Sequence, residues 1–157
     1  LKINPTNNEI EEYIVGPGPR NLVLHNGAAY VARTYYDENW NSFHGTSRIN
    51  SDGSINQITY GYGIACGGSI MVYNNQVYRS FNGGLSRMDD ELNLEEETIG
   101  NYNQSQIYHI EKINGNFWFA ITNYDDLNEV RVIDSFGNEL SVFQVGLNPG
   151  DFAYWSK

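Results

Sequence analysis

Short stretches in which apolar and polar residues alternate run the length of the chain, separated by clusters of Gly, Asn and Asp. Alternation with a period of two is the pattern of a half-buried β-strand, and the separating residues are turn formers. Glu9–Tyr13 and Leu92–Glu97 hold helix-forming glutamates, yet both fall where the pattern demands strands. The first full set of strands is predicted at Asn21–His25, Ala28–Thr34, Thr46–Ile49 and Ile55–Tyr60, with a hairpin turn at Asn26-Gly27. The second covers Ser69–Tyr73, Gln76–Phe81, Leu85–Met88 and a fourth strand ending at Ile99. The third covers Ile107–Ile113, Asn116–Thr122, Glu129–Ile133 and Glu139–Val145. Leu1–Asn4 and Glu9–Val15 read as the last two strands of a preceding set, and Asp151–Ser156 as the first strand of a following one.

The sets are copies of one motif. Each ends in an apolar residue and a glycine, at Gly16, Gly61, Gly100 and Gly146, spaced 45, 39 and 46 residues apart. A second element keeps step with the first. Asn26-Gly27-Ala28-Ala29-Tyr30 matches Asn74-Asn75-Gln76-Val77-Tyr78 and Asn114-Gly115-Asn116-Phe117-Trp118. Two elements recurring together at about 40–45 residues are the signature of β-propeller blades. The predicted fold is therefore all-β, a β-propeller of four-stranded antiparallel blades. The expected division is a partial blade over 1–16, blades over about 17–61, 62–100 and 101–146, and a partial blade over 147–157. Arrays of this kind close on themselves or are capped. The expectation is a segment of a larger ring, completed by remaining blades of a longer chain or by a second copy.

Composition narrows the function. Nine Lys and Arg face 19 Asp and Glu, a net charge of −10. A nucleic-acid partner requires a basic face, so none is expected. Cys66 is the single cysteine, which excludes an intrachain disulfide and reads as a small buried apolar residue. No apolar run approaches the roughly 18 residues of a membrane-spanning helix.

A glycine-terminated fourth strand, a Pro-bearing turn, a short first strand and Asn-Gly before an aromatic second strand are clearest at Val15-Gly16-Pro17-Gly18-Pro19-Arg20-Asn21-Leu22-Val23-Leu24 and at Val145-Gly146-Leu147-Asn148-Pro149-Gly150. This pattern resembles the YncE-like and surface-layer-type β-propellers of bacteria. The second repeat departs from it, because its Gly100–Gln106 turn lacks proline. The resemblance implies export to the periplasm or cell surface, lipoprotein relatives, an outer-membrane or envelope protein partner, and ligand capture.

Propeller geometry puts the connections between blades and those between second and third strands on one face. The longest such connection is predicted at Tyr35–Gly45, and its length and aromatic content mark it as functional. Candidate ligand-binding residues on this face are Arg20, Tyr36, Trp40, His44, Tyr62, Tyr102, Tyr124 and Asp125. Trp40 is expected either to plug its own loop or to stack on a ligand. Aromatic, amide and carboxylate groups together suit a small polar or carbohydrate-like ligand. No cofactor, metal site or catalytic residue is assigned. His25, His44 and His109 fit no zinc spacing, and neither a nucleophile elbow nor a phosphate loop is present. The residues point first to a non-enzymatic binding module. The alternatives are a propeller hydrolase or lactonase using carboxylates or a metal on the same face, with Asp37 and Asp125 as one carboxylate pair, and a structural subunit of an envelope assembly.

Overall fold

The computed structural model describes residues 1–63 and 68–155. Cys66, most of the glycine-rich Gly61–Gly67 turn and Ser156 lie outside the described residues or at their edge.

Strands β1 (Lys2–Ile3) and β2 (Ile10–Glu11) pair into a small exposed hairpin. Three four-stranded antiparallel sheets follow. The first holds β3 (Pro19–His25), β4 (Ala28–Tyr36), β5 (Ser42–Ile49) and β6 (Ile55–Tyr62). The second holds β7 (Ile70–Tyr73), β8 (Gln76–Phe81), β9 (Gly84–Met88) and β10 (Leu94–Ile99). The third holds β11 (Ile107–Ile113), β12 (Asn116–Ile121), β13 (Asn128–Ile133) and β14 (Glu139–Val145). Each sheet is a meander of sequence neighbours, the arrangement of propeller blades. Apolar clusters join the first sheet to the second and the second to the third, and among the described residues none joins the third back to the first. The only helical turn there is a 3₁₀ segment at Gln104–Gln106. Of the strand predicted at Asp151–Ser156, the described residues 151–155 form none.

Two turn types account for seven of the nine turns within the three sheets. Asn26-Gly27, Asn74-Asn75, Asn82-Gly83 and Asn114-Gly115 have positive φ at both central residues, the I′ geometry that matches strand twist. Gly83 admits no side chain, because a Cβ there would lie 2.1 Å from the carbonyl oxygen of Tyr102. The second type is a five-residue Asp-x-x-x-Asn turn. At Asp37–Asn41, Asp89–Asn93 and Asp134–Asn138 the Asp carboxylate accepts two backbone N–H groups and the Asn side-chain amide. The fourth residue of each turn has positive φ: Trp40, Leu92 and Gly137. These bonds hold the carboxyls of Asp37, Asp89 and Asp134 below their ordinary range, with the Asn amide as the largest cause.

The core lies between sheets. Tyr30, Ala32, Val23 and Ile58 of the first sheet pack on Ile70, Val77, Met88 and Leu94 of the second. Met71, Tyr73, Tyr78 and Leu85 of the second pack on Ile110, Phe117, Phe119 and Ile133 of the third. The equivalent aromatics Tyr30 and Tyr78 thus sit in successive junctions. Trp118, their counterpart, lies on the outer face of the third sheet, stacked on Phe143 at 5.9 Å.

Arg79 crosses the first junction. It is fully buried on β8, and its guanidinium donates to the carbonyls of Arg33 (3.0 Å) and Gly45 and to Thr46 Oγ1 (3.0 Å). Its charge also lies 5.5 Å from the centre of the Tyr60 ring. Burial lowers its pKa to about 10, so it stays charged at neutral pH.

Candidate functional site

The connection predicted as an eleven-residue loop at Tyr35–Gly45 is mostly strand. Tyr35 pairs with Phe43 and Tyr36 with Ser42, leaving Asp37–Asn41 as the turn. Tyr35, Tyr36 and Phe43 are strand residues on a pleated surface, and the turn that carries Trp40 closes through Asp37 rather than through buried aromatics. Trp40 therefore plugs nothing. It is 82% exposed, and its ring lies 6.2 Å from that of Tyr36. Phe43 packs between Tyr35 (5.6 Å) and Tyr62 (4.6 Å) on the other side of the sheet. Trp40→Ala is expected to leave stability within about 0.5 kcal/mol, as for other exposed side chains. A urea unfolding curve checks this, and a loss well beyond that range would restore the plug.

The β11 end of the third sheet faces the β4–β5 end of the first across a cavity of about 610 Å³. Its wall includes Arg20, Tyr36, Ser42, Tyr108, His109 and Asp151. Tyr124 meets Tyr108 edge-on at 6.4 Å, which extends the aromatic wall outward. The inner strands β3, β7 and β11 line a second cavity that shares Asn21, His109 and Asp151 with the first. Of the eight candidate residues, Arg20 and Tyr36 line the main cavity, and Trp40 and Tyr124 flank it through their ring contacts.

The others lie elsewhere. His44 is buried between the first and second sheets, 5.8 Å from the rings of both Tyr60 and Phe81. A register slip between His44 and Gly45 leaves Tyr60 unpaired in the ladder and brings it to His44. Burial, and then the Arg79 charge, lower the His44 pKa to about 4. His44 and Tyr62 border a separate cavity of about 420 Å³ at this junction. Tyr102 packs on Phe119 at 5.0 Å under Arg131, beside a fourth cavity. Asp125 is exposed in the β12–β13 connection, its backbone N–H bonded to Asn123 Oδ1. Asp37, considered as one half of a carboxylate pair, is occupied by its turn.

The fold gathers a cluster that residue spacing leaves unassigned. His109, Glu111 and Asp151 each offer one ligand atom, and these lie within 4.8 Å of one another. His109 Nε2 is 3.7 Å from Glu111 Oε2. Both atoms are shut off from solvent, and neither makes a hydrogen bond. The ring of Phe152 covers this face, 5.6 Å from His109 and 6.0 Å from Trp118. The signal for two of the three was present in the chain. Residues two apart on a strand leave the same face, and His109 and Glu111 have that spacing on a predicted strand. Asp151 reaches the pair only through the path taken after β14.

Fold and cavities together define an all-β protein of propeller-type blades with a polar, aromatic-rimmed cavity at one end of the inner strands. No protein-family model matches the chain, and no curated protein is similar enough to count as a relative.

Proposed function

We propose that this protein is a non-enzymatic binding module of the exported propeller type, taking a small polar or carbohydrate-like ligand in the cavity between the first and third sheets. The observation that carries the reading is the wall itself. A cation, Arg20, faces a space bordered by Tyr36, Tyr108 and the exposed Trp40–Tyr36 pair. Aromatic faces stack on the apolar side of a sugar ring, while charged and amide groups order its hydroxyls. The resemblance to YncE-like propellers supports export and an envelope partner as part of the same reading. The test is calorimetric titration with a panel of mono- and oligosaccharides. Tyr36→Ala and Trp40→Ala are each expected to weaken binding about tenfold or more while the unfolding curve stays unchanged. Undiminished affinity in both variants would remove the site.

A hydrolase on the same face is the second reading, now resting on His109, Glu111 and Asp151 rather than on Asp37 and Asp125. Turnover of a lactone or glycoside, abolished by Glu111→Gln, would favour it over simple binding.

The partner reading is that a further blade-like sheet docks on the outer face of the first sheet, supplied by a second copy or by further blades. Ile70 and Ile110 occupy equivalent places on β7 and β11 and are 7% and 2% exposed. Their counterpart on β3, Leu22, is 63% exposed and borders an apolar cavity of about 600 Å³. Sedimentation at rising concentration is expected to show association that Leu22→Lys abolishes. A chain that stays monomeric at every concentration would exclude the second copy.

A further inference from the structure

His109 and Glu111 stand where the first sheet has Asn21 and Val23 and the second has Ser69 and Met71. Only the third sheet puts an imidazole and a carboxylate side by side at these positions. They lie on the face of β11 turned away from the second sheet, with Trp118 and Phe143 on the same face. The segment after β14 returns over this face, with Asp151 adding the second carboxylate and Phe152 the apolar cover. The result is a His109 ring nitrogen and a Glu111 oxygen, both desolvated and neither hydrogen-bonded. Burying such groups without a partner is unfavourable, and a shared cation removes that cost.

We propose that His109, Glu111 and Asp151 form a binding site for one first-row divalent transition metal, of which Zn²⁺ fits best. The chemistry selects the ion. An imidazole among the ligands disfavours Ca²⁺ and Mg²⁺, which take oxygen, and three protein ligands fall far short of the six to eight that Ca²⁺ requires. One nitrogen and two oxygens match the three-ligand zinc sites that keep a fourth position open. Ligands about 2.0–2.2 Å from a tetrahedral zinc are about 3.3–3.6 Å apart. The His109–Glu111 separation of 3.7 Å is close to this. Asp151 lies in an irregular segment, where a shift of about 1 Å completes the set. All three ligands line the second cavity, and His109 and Asp151 also line the main one, so a fourth ligand would come from the space beside the inner strands. A hydroxyl or carboxylate of a bound molecule would there become the fourth ligand. The site stands or falls on its three residues, independently of whether the cavity takes a sugar.

The experiment is calorimetric titration of ZnCl₂ into the chelator-treated full chain, repeated with His109→Ala, Glu111→Gln and Asp151→Asn. The expected result is one zinc per chain, a rise in melting temperature on loading, and affinity at least tenfold weaker in each variant. Circular dichroism of the metal-free variants verifies that they retain the β fold. X-ray absorption of the loaded wild-type chain gives a readout that needs no variant, with an expected shell of nitrogen and oxygen only. No zinc uptake, or equal uptake by wild type and His109→Ala, would overturn the site. A sulfur neighbour in the absorption spectrum would also overturn it, by moving the ion to Cys66.

Discussion

Arg79→Ala is expected to destabilise the protein by about 3–5 kcal/mol, the range for large buried side chains and for broken buried charge networks. Three costs act together. The substitution empties a fully buried volume at the first junction. It removes donors from the carbonyls of Arg33 and Gly45 and from Thr46 Oγ1. It also removes the cation from beside the Tyr60 ring. One effect runs the other way, because folding no longer has to strip water from a guanidinium. Arg79→Met keeps most of the volume and gains that relief, so it should cost clearly less than Arg79→Ala. Arg79→Lys keeps the charge but not the planar fork that serves several acceptors, and should fall nearer alanine. Urea unfolding of the three variants gives the order. A value within about 0.5 kcal/mol for alanine would mean that the guanidinium binds the two sheets no better than a surface residue does.

Acidification from pH 7 to 4 is expected to cost about 3 kcal/mol through His44 alone, by the linkage of a shifted pKa to folding. The unfolded chain takes up this proton near pH 6.5, whereas the folded chain resists it until about 4. Between those limits the unfolded state holds more protons, so stability falls as pH falls. The neighbours that set the shift are the apolar and aromatic walls of the junction and the charge of Arg79. His44→Phe keeps an aromatic ring and cannot protonate, so its stability should fall much less than that of the wild type across the same window. The carboxylates of Asp37, Asp52, Asp89 and Asp134 are held low by their turn bonds and lose their contribution only below the ordinary Asp range near 3.8. The two losses are therefore separated on the pH axis. Equal slopes for wild type and His44→Phe between pH 6.5 and 4 would show that the ring is not sealed in the junction.

Sequence and structure agree where local rules decide. Alternation and Asn-Gly turns placed all three sheets, and the acidic run Glu95–Glu97 lies exposed on β10 as a charged outer strand should. They part at Tyr35–Gly45. This stretch lacks the alternation of an amphipathic strand because aromatic residues stand on both of its sides, and so it reads as loop. The Asp37–Asn41 spacing, repeated at Asp89–Asn93 and Asp134–Asn138, was the legible sign of a tight turn. The candidate site was only half legible. Arg20 and Tyr36 meet at the main cavity, but His44 is carried into a junction by the pleat, which turns successive side chains to opposite faces. Tyr102 and Asp125 follow their own sheet. Asp151 joins His109 and Glu111 through a path without regular structure, which no periodicity encodes.

The pairing of every strand with its neighbour in sequence bears on how the chain finds its fold. Closing a turn of two to six residues costs little chain entropy, so each meander can assemble from its own segment without waiting for distant partners. The demanding step comes afterwards, when one meander docks on the next and the guanidinium of Arg79 must leave water for the carbonyls of another sheet. Sheets that form early and dock late expose broad apolar faces in the interval, and the charged outer strand at Glu95–Glu97 then serves the folding chain as a guard against pairing with its neighbours in solution.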